Sequence, residues 1–268
     1  MIPLRDDNPT RRTAVVTLLI IAVNVMVFVL VQPKGNSEAV IKIKQPSAIK
    51  GRVGEEAFLY WQAAIPCELT TLHPLDQREL AASLKGNDHA CSLKGDGRSP
   101  EVFPAKQPLV SGLFSMFLHG GWAHLLGNML FLWIFGNNVE DRWGRLRYLG
   151  FYVVAGFVAL AAHVVASPNS TIPVVGASGA IAAVMGAYLM MFPRAKVLSL
   201  LAIIPIRVRA WLVIGVWFVM QFFTIPNSGV AWVAHVGGFV FGVLVAILWR
   251  RRRVDLSFPA LARQRPSS

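Results

Sequence analysis

Three short strings carry the residues that could do chemistry. LHGGWAHLLGNMLFLWIFG sets His124 and Asn128 four apart, on one face of a helix. GASGAIAAVMGAY sets Ser178 between Ala177 and Gly179, and AHVGGFVFG sets His235 ahead of Gly238 and Gly242. A serine hydroxyl attacks poorly until a neighbouring imidazole takes its proton. With Ser178 as nucleophile and His235 as base, the apolar runs that hold them offer no carboxylate to orient the imidazole. The pair reads as a Ser–His dyad and not a triad. His124 and Asn128 could offer N–H groups to a developing oxyanion, beside the Ser178 amide at a helix N-terminus. Gly179 and Gly186, with Gly238 and Gly242, could form small-residue seams that let two helix backbones approach closely.

The elements that must position these residues are six long apolar stretches: 13–32, 121–139, 148–166, 176–192, 210–225 and 230–249. None contains Asp or Glu, and each approaches the length needed to cross a hydrocarbon core as helix. The composition agrees: 54% of the 268 residues are apolar and 15% charged, with a mean hydropathy of +0.52. That excludes a disordered chain and argues against an ordinary water-soluble enzyme. The net charge of +12 is explained by where the cations sit. Arg5, Arg11 and Arg12 precede the first stretch, Arg142, Arg145 and Arg147 follow the second, and Arg194, Lys196, Arg207 and Arg209 follow the fourth. Arg250 to Arg253 follow the sixth, whereas 167–175 and 226–229 carry no charge. Basic residues therefore alternate with each crossing, the positive-inside pattern, and both termini are expected in the cytoplasm. Anionic lipid accounts for the positive charge, so no nucleic-acid partner is expected. The first stretch is longer than a signal-peptide core and no small-x-small cleavage site follows it, so it reads as a retained anchor.

This topology makes the second, fourth and sixth stretches run inward from the outer face. His124, Ser178 and His235 each fall near the start of their stretch, at a common shallow depth. The expected organisation is a cytoplasmic N-terminus (1–12), a first span (13–32), a long external loop (33–107), a core of five spans (108–249) and a basic cytoplasmic tail (250–268). The external loop has ten Lys/Arg and nine Asp/Glu and is the one part with soluble character. It also holds both cysteines of the chain, Cys67 and Cys91, which an oxidising compartment would allow to pair. Two unrelated thiols are the alternative.

Each polar residue taken alone also has a packing explanation. His124 and Asn128 could be interhelical glue, Ser178 a small packing residue and the glycines plain contact motifs. Asn24, His163 and Gln221 read as packing residues, and His73 and His89 carry no signal. The His-Glu-x-x-His of zinc proteases is absent, as are paired intramembrane aspartates. No metal or cofactor is expected, because a glycine-framed serine at the level of the histidines has no use in a metal site.

HGGWAHLLGN, GASG and AHVGGFVFG, in that order on alternate spans, resemble the rhomboid family of intramembrane serine proteases; NNVEDRWG after the second span is also similar. The resemblance implies an all-α, six-transmembrane-helix bundle. It implies Ser178 as nucleophile, His235 as general base, and His124 and Asn128 in the oxyanion hole. It implies a lid from residues 226–229, gating by the fifth helix, and a structural role for His119. The substrates would be single-span membrane proteins cut near the outer face, in a plasma membrane of prokaryotic type. A rhomboid-like protein that binds transmembrane helices without cutting them is the alternative. Two departures stand out. Many members have an aromatic residue one turn after the nucleophile, stacked on the base, where this chain has Ala182. The first external loop is long and lacks a Trp-Arg pair common in the family.

Overall fold

The computed structural model describes residues 2–33, 55–91, 99–223 and 231–254. Helix α1 (Val15–Met26) continues through a π turn, Val27–Val31. Four short helices follow: α2 (Glu55–Gln62), α3 (Pro66–Thr71), α4 (Gln77–Leu84) and α5 (Pro108–Ser115). Next come α6 (Trp122–Phe131), a π turn at Leu132–Gly136 and α7 (Asn137–Trp143), which together form one rod. The remaining helices are α8 (Arg145–Ala166), α9 (Ser178–Met191), α10 (Ala210–Met220, ending in a 3-10 turn, Gln221–Phe223) and α11 (Trp232–Val254). Arg145–Ala166 and Trp232–Trp249 are long and apolar enough to cross a membrane, and Val15–Val31, Ser178–Met191 and Ala210–Phe223 are shorter apolar helices.

Helix α9 is the centre of the bundle. Every residue from Gly179 to Tyr188 is buried, as its apolar character all round requires. Its small residues let α11 and α8 pack closely on it. The position a Cβ would take on Gly238 falls on the Gly179 carbonyl, and that on Gly242 falls on the Ala183 carbonyl. In the other direction, Gly186 faces the backbone of Phe239 and Val243, and Gly179 faces the side chain of Ala159. All four glycines thus lie where only a hydrogen fits, and dispersion contacts between backbones replace those of side chains.

A carboxylate of α7, that of Glu140, organises one end of the bundle. Buried Glu140 accepts hydrogen bonds from the Val16 amide (3.0 Å), the Thr17 amide (2.8 Å) and the Thr17 hydroxyl (2.8 Å). It supplies the first turn of α1 with both acceptors and negative charge, which a helix N-terminus favours. Gly144, at φ 85°, then turns the chain into α8.

A three-stranded antiparallel sheet stands beside the helices, where the sequence reading expected helices alone. Strand β1 (Ile2–Asp6) pairs with β2 (Lys196–Leu201), which pairs with β3 (Ile204–Arg209). The β2–β3 hairpin turns on Ala202 (φ 55°) and Ile203. Alternation explains the strand: Val197 and Ser199 are buried on one side of β2, while Lys196 is exposed. The cations of this connection hid that alternation in the sequence. Asp6, at the end of β1, accepts from the Tyr188 hydroxyl of α9 and from Asn138 Nδ2, each at 2.7 Å, and so ties the sheet to the bundle.

The segment expected as an external loop is folded where it is described. Asp76 and Glu79 form a capping box at α4. Glu68 and Lys106 form a buried ion pair at 2.5 Å, and the Lys106 ammonium also donates to the Tyr60 carbonyl. Cys67 and Cys91 are joined by a disulfide with Cα atoms 5.6 Å apart. The segment docks on the α8–α9 connection: the Cys67 amide donates to the Ser170 carbonyl, and the Thr171 amide to the Asp88 carbonyl.

Candidate active site

Ser178 is the first residue of α9, His235 the fourth of α11 and His124 the third of α6. These three helix N-termini meet at one end of the bundle, around a cavity of about 730 Å³. His235 Nε2 lies 2.8 Å from Ser178 Oγ, across 57 residues of chain. Both side chains are half-buried, sheltered from bulk water yet facing the cavity. The seam between α9 and α11 produces this contact. With Gly238 against the Gly179 carbonyl, the helices are close enough for a short hydroxyl and an imidazole to meet.

His124 of α6 lines the cavity, and Asn128 lies one turn further along the same helix. The backbone at Gly176, two residues before the serine, runs directly beneath them. A Cβ on Gly176 would stand 2.8 Å from His124 Nε2 and 3.4 Å from Asn128 Nδ2. At φ 116° this residue also needs glycine for conformational reasons, so two independent constraints select it. His124 Nδ1 accepts from the Gly120 amide at 3.5 Å, which leaves the proton on Nε2. Asn128 is buried, and its Nδ2 has no hydrogen-bond partner among the described residues. A buried amide donor without a partner is costly unless something arrives to accept from it. The amide of Ser178 stands at the first position of α9, among the N–H groups that a helix leaves without an intrahelical acceptor.

Other residues take places the sequence did not assign. Gln221, read as a packing residue, accepts at Oε1 2.7 Å from His235 Nδ1, and its Nε2 donates to the Trp217 carbonyl at 2.9 Å. The signal available was its position: a lone amide near the end of the fifth apolar stretch, at the level of the histidines. Ala182 is fully buried and cannot stack on an imidazole; an aromatic ring near His235 is that of Trp217 of α10, with centroids 6.0 Å apart. Asp88 and His89, which follow α4, and His163 of α8 line the cavity. His119 is buried, its ring packed edge-on to Phe28 and His124, while its backbone exchanges hydrogen bonds with the Gln32 amide group. Asn24 turns back to the Ile20 carbonyl of its own helix at 2.8 Å. The expected lid at 226–229 lies outside the described residues.

Residues 107–252 match the Rhomboid domain, and the chain belongs to the rhomboid family. It is therefore a polytopic helical membrane protein. Over 134 residues, half of this chain and 25% of the relative, it is 35% identical to the rhomboid protease GluP of Bacillus subtilis. It is 33% identical over 138 residues to the rhomboid protease GlpG of Serratia proteamaculans, covering 51% of this chain and 47% of that one. It is also 30% identical over 149 residues to the mitochondrial Rhomboid protein 1 of Saccharomyces cerevisiae, covering 50% and 40%. The chain thus spans less than half the length of each of these relatives.

Proposed function

We propose that this protein is an intramembrane serine endopeptidase that cleaves single-span membrane proteins near the outer membrane face. Six spans place both termini in the cytoplasm. The observation that carries the reading is the 2.8 Å contact between His235 Nε2 and Ser178 Oγ, with His124 on the same cavity. In this mechanism Nε2 takes the hydroxyl proton as Oγ bonds to the scissile carbonyl carbon. The carbonyl oxygen becomes an oxyanion and receives His124 Nε2–H, Asn128 Nδ2–H and the Ser178 amide. The imidazolium then protonates the leaving amine, the C–N bond breaks, and water attacks the acyl-serine with the same base. The cavity brings that water to Ser178, which hydrocarbon could not supply.

The test is labelling of the purified protein by a fluorophosphonate probe, which bonds only to an activated serine. Wild type is expected to label, Ser178→Ala not at all, and His235→Ala far more slowly. Equal labelling of wild type and Ser178→Ala would overturn the proposal in favour of a family member that binds helices without cutting. Cleavage of tagged single-span proteins, with product termini mapped, then defines the substrate.

A further inference from the structure

The side chain of Gln221 touches His235 on the ring nitrogen opposite the serine. Its orientation is decided by a group that has no choice. The Trp217 carbonyl only accepts, so the nitrogen of the Gln221 amide must face it, at 2.9 Å. The amide oxygen must then face His235 Nδ1, at 2.7 Å, and an oxygen acceptor requires a proton on that nitrogen. A neutral imidazole carries one proton, so Nε2 is left with a lone pair directed at Ser178 Oγ.

We propose that Gln221 is the positioning residue of the dyad, holding His235 in the tautomer and ring orientation that can accept the serine proton. Helix α10 thus takes over, through Trp217 and Gln221, the part that an aromatic at the Ala182 position plays in many family members. A neutral amide suits the setting. It stabilises the imidazolium by its dipole without placing an uncompensated carboxylate at a buried position. The role rests on the protease reading above.

The test uses the full chain and the rate of fluorophosphonate labelling at varied probe concentration, separating the maximal rate from the half-saturating concentration. Gln221→Leu removes both hydrogen bonds at similar volume. It is expected to lower the maximal rate about tenfold to a hundredfold, the scale of a lost buried hydrogen bond, with half-saturation unchanged. Gln221→Glu keeps an acceptor against Nδ1 and is expected to hold the rate within severalfold of wild type. Its carboxylate favours the imidazolium, so the acid limb of its pH profile is expected to move upward by about one pH unit or more. Among the described residues, the polar and titratable groups that share the cavity with His235 are Ser178 on α9, His124 on α6, His163 on α8, Asp88 and His89; none is altered by these variants. A packing role predicts the opposite order, with leucine tolerated and glutamate damaging. That order, or a wild-type maximal rate in Gln221→Leu, overturns the proposal. Wild type that never labels removes instead the protease reading on which it rests.

Discussion

The carbonyl of Ala183 occupies the space where a Cβ on Gly242 would stand, so α9 and α11 meet backbone to backbone. This contact lies one turn below that of Gly238 with Gly179, and the two together set the distance from Ser178 to His235. Side chains with several rotamers could relax around an intruding methyl group. A helix carbonyl held by its own ladder cannot.

Gly242→Ala is therefore expected to cost about 1–3 kcal/mol by overpacking and to reduce cleavage far more than the stability loss alone explains, because the helices must part. Gly127→Ala is the control. It lies on a helix with open space where its Cβ would be, so it is expected to be neutral or to stabilise by up to about 1 kcal/mol. Thermal melts in detergent, together with cleavage rates, check both; a Gly242→Ala protein as active as Gly127→Ala would refute the seam.

Asn128→Ala separates a donor that waits for an oxyanion from structural glue. Its Nδ2 has no hydrogen-bond partner among the described residues, so its removal takes no bond from that nitrogen in the resting protein. Cleavage is expected to slow about 10²–10³-fold while the melting temperature stays within a degree or two of wild type. A large drop in melting temperature with an undiminished rate would identify Asn128 as glue.

Asp6 gives a pH signature at the other end of the molecule. Burial, helped by the neighbouring Asp7, raises its carboxyl to about 6, against the pull of the Tyr188 hydroxyl. The folded protein thus holds this proton more tightly than the unfolded chain, whose value is 3.8. Stability from this group is full below pH 4, declines as the pH rises through 6 and is lost above it. Asp6→Asn keeps an acceptor for Tyr188 and Asn138 without the charge. Its melting temperature is expected to gain on that of wild type between pH 4 and pH 7, and a constant difference across that range would show that Asp6 does not titrate there.

How much of this was readable in advance differs from one residue to the next. His124 and Asn128 stand four apart in an apolar helix, and Ser178 and His235 each sit among small residues near a helix start. Local spacing and the cost of polar groups in hydrocarbon were enough to single them out. Gln221 obeys the same rule but looked like any lone amide, because its importance lies in what it faces. Glu140 fell one residue beyond an apolar stretch and showed no sign that it caps a helix more than a hundred residues away. The strands escaped because a short hairpin rich in Arg and Lys reads as a topology charge.

The chain by itself determined its helices, its charge asymmetry and the small set of polar residues that apolar runs must justify. These follow from local terms: hydropathy summed over a window, side-chain period and backbone conformational cost. Tertiary packing alone decided that a glycine seam brings α11 onto α9, that Gln221 reaches His235, and that Asp6 and Glu140 lock β1 and α1 to the bundle. Such contacts depend on the angle and register at which whole helices cross. That geometry is a balance of many weak contacts summed over the fold, and no single stretch of sequence encodes it.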